Sequence, residues 1–206
     1  RKGIEVSGGF VLGFDADPPN ICDEQIRFVK KLAVPTAMVG LLTALPRTAL
    51  RDRLEREGRL LGQSNGDNTH SASFNFRTIL PEAGLIEGYF RVLREIYSPR
   101  AYFDRCLELL RRFPAWRRQR RPGARGSITP RNLVYLLRSL IVQGFSRYGA
   151  EYFRYVVKAL RISPGLIEDF ITFAVQGRHF FIITRRFLRG REAALAAAAV
   201  LSPYSA

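Results

Sequence analysis

Over the first 60 residues, short apolar runs alternate with helical patterns of apolar and polar positions. Residues 4–14 form a glycine-containing apolar run, which predicts a short β-strand buried on both faces. Asn20 or Asp23 is suited to cap a following helix, and the sequence leaves both positions open. Three apolar residues at helical spacing then predict the buried face of that helix, and Pro35 marks its end. They are Ile26, Val29 and Leu32.

The same alternation repeats once more. Residues 36–42 are a second apolar run and predict a second strand. Thr48 then begins a helix that carries Leu50 and Leu54, and Gly58 ends it. A strand–helix–strand–helix order predicts a parallel sheet with right-handed crossovers. Since two such units are too few for an independent sheet, they are interpreted as the trailing end of a larger α/β barrel.

From residue 81 onward the pattern becomes helical, so the predicted fold class is α/β followed by all-α. The predicted regions are 1–62 with the β/α units, 63–80 as a polar loop, and 81–206 as a helical domain with a basic linker at about 114–130. Ser98 and Pro99 have the residue types preferred at the start of a helix. The predicted apolar faces comprise Leu85, Tyr89, Val92, Leu93 and Ile96; then Tyr102, Phe103, Cys106, Leu109 and Leu110; then Leu133, Leu136, Leu137, Leu140 and Ile141; and last Tyr152, Tyr155, Val156 and Leu160.

The net charge and the cysteine content indicate which kinds of partner, compartment and metal site are to be expected. Lys+Arg is 33 against Asp+Glu 18, which gives a net charge of +15. Such a charge attracts nucleic acid, anionic lipid or phosphorylated substrates without choosing among them, and a GC-rich genome that favours arginine codons explains it equally well. Cys22 and Cys106 are the only cysteines, which is typical of a reducing cytosol, and no zinc or other metal site is expected. No apolar run is long enough for a membrane span, so a cytoplasmic protein, peripheral to the membrane at most, is expected.

Two stretches carry candidate binding residues. Gly9, Val11 and Gly13 lie at alternate positions of the first strand, where glycines allow a flat ligand or another backbone to approach closely. A tight strand-to-loop transition without a ligand explains the same glycines. Asn68 and His70 lie in the polar loop and are candidate substrate contacts, although a solvated loop histidine is the simpler interpretation. No residue is expected to be catalytic.

These motifs together resemble the end of the radical-SAM barrel and the helical C-terminal domain of cobalamin-binding radical-SAM proteins, among which are hopanoid methylases. Gly9-x-Val11-x-Gly13 resembles the glycine motif of the fifth strand, with Ala16 where that motif has Glu. Residues 34–61 resemble the sixth strand and its helix. The pairs Asn68-Thr69, Asn75-Phe76 and Gly88-Tyr89, together with residues 96–99, resemble the helical domain.

The resemblance implies S-adenosylmethionine as a cofactor, with its adenine against Gly9, Val11 and Gly13. It also implies a [4Fe-4S] cluster and cobalamin. A cluster needs three thiolates spaced C-x-x-x-C-x-x-C, and this triplet is absent here. Since the chain also starts at Arg1, it is expected to be a C-terminal fragment whose partners are the upstream barrel and the cobalamin domain of the same protein. The parent enzyme would methylate an unactivated carbon, for example of a lipid, and this chain alone would not catalyse.

The alternative is a basic helical module that binds nucleic acid or an anionic membrane surface. Arginines cluster around Trp116 within residues 111–125, and a second group surrounds Phe180, Phe181 and Phe187. Basic residues next to aromatic ones are typical of peripheral membrane contacts. Nucleic acid is the less favoured partner, because solvated linkers and helix faces explain arginine clusters as well.

Overall fold

The computed structural model describes residues 6–64, 72–113 and 130–201, and only the backbone at 130–133 and 194–201. The chain divides into two compact units, an α/β unit of residues Val6–Ile96 and a helical unit that begins at Tyr97. The basic linker predicted around 114–130, with Trp116, lies almost entirely outside the described residues, as do Asn68 and His70. None of the described helices is long and apolar enough to cross a membrane.

The α/β unit contains a parallel pair of strands, as the sequence predicts. Strand β1 (Gly8–Leu12) pairs with β2 (Ala37–Leu41), and helix α1 (Ile21–Leu32) connects them. Helix α2 (Ala49–Arg56) follows, and the Thr48 side chain caps it by accepting a hydrogen bond from the Arg51 backbone. The larger barrel stays a prediction, since the sheet of the described residues has two strands.

Helix α3 (Glu82–Ile96) completes the α/β unit by packing against α1 and β2. All five apolar residues predicted for its inner face are buried. Cys22 of α1 lies directly against Gly88, so the absence of a side chain at Gly88 allows the two helices to approach closely. Ion pairs join the exposed sides of the same helices, with Lys30 Nζ 2.7 Å from Glu95 Oε2 and Arg91 Nη1 2.9 Å from Asp23 Oδ1.

The described residues of the helical unit form four long helices and one short 3₁₀ turn. They are α4 (Pro99–Arg112), α5 (Pro130–Gly144), α6 (Gly149–Ile162), the turn Pro164–Leu166 and α7 (Ile167–Leu201). Ser98 caps α4 with Pro99 in its first turn, which confirms the predicted start. The core is aromatic: the Phe103 and Tyr155 rings stack with centroids 4.6 Å apart, and Phe181 meets Phe103 edge-on.

Four predictions about local burial and capping are wrong. Strand β1 is not buried on both faces, because Gly9 is exposed. Leu32 is exposed, since α1 turns its Ile26 and Val29 side inward. Asn20 does occupy the N-cap position, but its side chain donates to Glu24 and does not cap the helix.

The fourth error concerns α5. Leu137 and Ile141 are 50% and 61% exposed, whereas the polar Ser139 and Gln143 are buried on the inner side of this helix. Apolar spacing alone predicted the wrong face, because the face that packs carries Ser139 and Gln143, which are joined by a hydrogen bond. Gln143 Nε2 donates to Ser139 Oγ at 3.0 Å, and the Tyr152 hydroxyl donates to the same oxygen at 2.8 Å.

Candidate functional site

One face of the two-stranded sheet is open and carries small residues. Gly9 pairs with Met38 and Val11 with Gly40, and side chains at paired positions point to the same side of a parallel sheet. Gly9 is exposed and Met38 is 54% exposed, and a Cβ built on Gly9 would meet no atom within 4 Å. A flat ligand can therefore reach the backbone of β1 from this side.

The opposite face of the same sheet is closed. The Phe10 ring meets Phe28 of α1 edge-on with centroids 6.1 Å apart, and Leu12 is fully buried. On β2, Val39 and Leu41 are buried as well. This contrast identifies the side with Gly9, Val11 and Met38, hereafter the open sheet face, as the side available to a ligand or another layer of protein. Gly40, which pairs with Val11 on this side, is buried.

Gly13, the third predicted cofactor residue, is required by the fold itself. Its φ is 105°, a backbone conformation that favours glycine, and a Cβ at this position would collide with the Phe74 ring. Its backbone N–H donates to Asp17 Oδ2 at 2.8 Å, and the N–H of Phe14 donates to the same oxygen at 3.0 Å. The predicted cofactor role of Gly13 stays a prediction beside this structural one.

The carboxyl end of β1 leads into an ion-pair cluster. Arg59 Nη2 lies 2.7 Å from Asp15 Oδ1, and Arg53 Nη2 lies 2.8 Å from Asp15 Oδ2. The hydrogen bond from Arg59 lowers the pKa of the Asp15 carboxyl most, ahead of the opposing effect of burial, and the charge of Arg53 adds to it. Asp15 is therefore held as a carboxylate and is poorly suited to donate a proton. Ala16, at the position of the acid in the radical-SAM motif, lies between this cluster and the loop bonded by Asp17.

The carboxyl end of β2 is fixed by an amide that the sequence did not single out as a site residue. Asn75 Oδ1 accepts from the Ala44 backbone N–H at 2.9 Å, and Asn75 Nδ2 donates to the Ala44 carbonyl at 3.0 Å. Arg51 Nη2 donates to Gln63 Oε1 at 3.1 Å nearby. Because the carboxyl ends of parallel strands are where open α/β sheets usually bind ligands, both polar groups border the candidate site. Only the Asn-Phe pair in the sequence pointed toward Asn75.

The cysteines and the one histidine of the described ranges do not form a metal centre. Within the described ranges 6–64, 72–113 and 130–201, no group of three His, Cys, Asp or Glu side chains is placed to hold a metal ion. Cys22 and Cys106 are buried and lie in different units, and burial raises the pKa of the Cys22 thiol. His179 is exposed on α7, where it meets Phe180 edge-on.

The helical unit contains a cavity of about 430 Å³ that sequence reasoning missed. Its walls come from α5 and α7, and the residues that line it are Tyr135, Arg138, Ser139, Val142, Gln143, Ile171, Thr172, Val175, Gln176 and Arg178. The second arginine group predicted next to it is only partly a surface feature. Phe181 is buried, and Phe180 stacks on Tyr97 with centroids 4.7 Å apart, so both rings pack within the helical unit.

Comparison with known proteins places the chain in a family. A family model described as a domain of unknown function (DUF4070) matches residues 48–193. An uncharacterized methyltransferase of Synechocystis sp. (strain PCC 6803) is 31% identical over 184 residues, which cover 87% of this chain and 33% of that protein. The hopanoid C-2 methylase of Rhodopseudomonas palustris (strain TIE-1) is 27% identical over 191 residues, which cover 91% of this chain and 35% of that protein.

The chain thus spans about a third of the length of these curated relatives. No solved structure gives a significant match. The family match begins at the cap of α2, extends through the helical unit to α7, and includes the aromatic core and the cavity. The chain belongs to the DUF4070 family.

Proposed function

We propose that this chain is part of a cobalamin-dependent radical-SAM methylase and supplies one wall of its S-adenosylmethionine site together with a helical domain that covers the substrate. The observation that carries the proposal is the similarity of nearly the whole chain to two proteins named for methyl transfer. DUF4070 is a domain found in B12-binding radical-SAM methylases, which supports the same assignment. In such an enzyme the cofactors supply a radical and a methyl group, and the protein supplies binding, orientation and exclusion of water.

The open sheet face fits the flat part of S-adenosylmethionine. Gly9 leaves its side of β1 free, and Val11 next to it offers an apolar surface for one side of an adenine ring. Gly13 and Asn75 hold the two strand ends in place around this face. We assign binding to Gly9 and Val11, and positioning of the strand ends to Gly13 and Asn75.

The residues of this chain do not fit the iron–sulfur cluster. Three thiolates are needed, whereas the two cysteines here are buried in separate units. We therefore propose that the cluster and cobalamin are bound by other parts of the complete protein, namely the upstream barrel and a cobalamin domain. The unfilled open sheet face supports this view, because buried-type strands need another layer to cover them.

The test uses the complete protein that contains this chain, reconstituted without oxygen with iron, sulfide and methylcobalamin. We expect reductive cleavage of S-adenosylmethionine to 5′-deoxyadenosine, measured by liquid chromatography. Gly9→Val should weaken S-adenosylmethionine binding at least about tenfold, because a branched side chain would occupy the ligand's place. Gly62→Val is the matched control, since a Cβ at Gly62 also meets no atom within 4 Å.

Two results would contradict the proposal. Absence of 5′-deoxyadenosine from protein that carries the cluster would exclude radical-SAM chemistry. Equal affinity of the Gly9→Val and Gly62→Val proteins for S-adenosylmethionine would exclude the open sheet face as the cofactor wall, while leaving the chemistry itself intact.

We also propose a peripheral membrane contact, now assigned to the outer side of α5. Val134, Leu137 and Ile141 follow one another at helical spacing and are about half exposed, and Phe145 just beyond the helix is 91% exposed. We expect the chain to sediment with phosphatidylglycerol vesicles, and Phe145→Ser to weaken this binding severalfold. Ile79→Ser is the control, because Ile79 is an apolar residue of the α/β unit that is 66% exposed. Binding to DNA but not to vesicles would instead favour the nucleic-acid alternative.

A further inference from the structure

The cavity between α5 and α7 combines apolar walls with positive charge. Val142, Ile171 and Val175 contribute apolar side chains, and Arg138 and Arg178 contribute two guanidinium groups. None of the ten lining residues is acidic. A ligand in this cavity therefore meets two positive charges that no carboxylate in the lining neutralises.

The volume of the cavity is suited to a small molecule. Its volume of about 430 Å³ lies within the roughly 300–1,000 Å³ range of small-molecule sites in proteins. Arg138 is exposed on α5 and Arg178 is exposed on α7, so both charges lie where a headgroup can remain in contact with water. Among the apolar lining residues, Ile171 is buried.

The polar residues that line the cavity carry no full negative charge. Gln143 donates its amide N–H to Ser139 Oγ, and Ser139 Oγ also accepts from Tyr152. The amide oxygens of Gln143 and Gln176 are buried without a hydrogen-bond partner among the described residues, and as neutral groups they carry only partial negative charge. The field at the opening is therefore set by the arginines.

We propose that this cavity binds a single-chain amphiphile with an anionic headgroup, with the apolar chain between Val142 and Val175 and the headgroup at Arg138 and Arg178. Guanidinium groups bind carboxylate and phosphate groups through paired N–H donors, and the apolar walls remove the chain from water. The site belongs to the helical unit alone. It is independent of the S-adenosylmethionine wall, and it stands even if the proposed methylation is wrong.

The test measures binding of three twelve-carbon probes to the full 206-residue chain by NMR titration, below their micellar concentrations. The probes are dodecanoate, dodecanol and dodecyltrimethylammonium. We expect dodecanoate to bind at least about tenfold more tightly than the other two, because only its headgroup pairs with the arginines. The double variant Arg138→Gln/Arg178→Gln should remove this preference, whereas Arg147→Gln/Arg161→Gln, at exposed arginines outside the cavity, should retain it.

A second pair of variants locates the site without disturbing buried groups. Val175 lines the cavity and is more than half exposed, so Val175→Trp should fill the opening and abolish dodecanoate binding. Val157 on α6 is similarly exposed but does not line the cavity, and Val157→Trp should bind normally. Equal affinity for the three probes, or unchanged binding by Val175→Trp, would overturn the proposal.

Vesicles distinguish the two sources of such a headgroup. If the ligand is a free acid, dodecanoate should bind the chain in solution without vesicles. Added dodecanoate should then have little effect on binding of the chain to vesicles. If the chain instead takes a single-chain amphiphile from a membrane, sedimentation with phosphatidylglycerol vesicles that contain dodecanoate should drop in both the Val175→Trp and the double arginine variants. Failure to bind dodecanoate in solution and vesicles alike would overturn the assignment of the cavity to an anionic amphiphile.

Discussion

The two units of this chain differ in how they bury their apolar side chains. The helical unit encloses an aromatic core in which buried tyrosine hydroxyls donate hydrogen bonds to the backbone. The Tyr102 hydroxyl donates to the Phe173 carbonyl at 2.8 Å, and the Tyr155 hydroxyl donates to the Phe170 carbonyl at 3.0 Å. In the α/β unit, by contrast, the described residues cover one face of the two-stranded sheet and leave Gly9 and Met38 exposed on the other. Its helices are joined by close contact at glycine and by exposed ion pairs.

This difference indicates that the aromatic core of the helical unit mainly stabilises the fold, whereas the open sheet face of the α/β unit is suited to binding. A buried tyrosine with a bonded hydroxyl combines a large apolar surface with a satisfied polar group, which favours one rigid arrangement. A glycine-bearing open sheet face contributes little burial of its own, and this is why it remains accessible. The stability of the chain should therefore depend mainly on aromatic contacts in one unit and on small-residue contacts in the other.

The largest effect is expected from Phe103→Ala in the helical unit. Phe103 is fully buried and meets Tyr155, Tyr152 and Phe181, so its removal should cost about 3–5 kcal/mol of the unit's free energy of unfolding. Hydrogen exchange followed by mass spectrometry should show faster exchange in α6 and α7. Phe153→Ala, at a half-exposed ring of α6, is the control and should change stability by less than about 1 kcal/mol.

In the α/β unit, Gly88→Ala should destabilise by about 1–3 kcal/mol, because the new methyl group would overlap Cys22. Gly84 lies on the same helix with free space around it, so Gly84→Ala should instead stabilise by up to about 1 kcal/mol. Urea unfolding monitored by circular dichroism measures both. If the two alanine variants were equally stable, close packing at Gly88 would not be what joins α1 to α3.

The hydroxyl bonds of the helical core give a smaller, selective effect. Tyr155→Phe keeps the ring and removes only the bond to the Phe170 carbonyl, so about 0.5–1.5 kcal/mol should be lost. Tyr135→Phe, at a half-exposed tyrosine of α5, should leave the urea midpoint unchanged. Equal midpoints for Tyr155→Phe and the unchanged protein would mean that the rings alone hold this core.

The sequence predicted the local elements well and their surroundings less well. Both strands, the caps at Thr48 and Ser98 and the inner face of α3 follow from short-range patterns, and the structure confirms them. The open sheet face was missed because an apolar run does not reveal how many layers cover it. The polar inner side of α5 was missed because Ser139 and Gln143 become compatible with burial only through Tyr152, which comes from another helix. The cavity was missed for the same reason, since its walls are distant in the sequence.

The smallest expected effect lies at the ion-pair cluster of the α/β unit and depends on pH. Because Arg59 and Arg53 lower the pKa of the Asp15 carboxyl below its ordinary value of 3.8, the pair stabilises the folded state above that pH. Its contribution is lost as the pH falls through the lower folded value. Asp15→Asn should therefore cost up to about 1 kcal/mol near pH 7, a modest amount because the pair is partly exposed to water.

As the pH falls from 7 to 2, the difference between the Asp15→Asn and unchanged proteins should shrink, since a growing fraction of the Asp15 carboxyl is then protonated and uncharged. Urea midpoints at the two pH values measure this change. Glu55→Gln, an exposed acid of α2, is the control and should show no such convergence, because no ion pair of Glu55 is seen among the described residues. A constant difference across the pH range would show that Asp15 acts through neutral hydrogen bonds. Charge pairing would then not be what holds the end of β1 to the segment after α2.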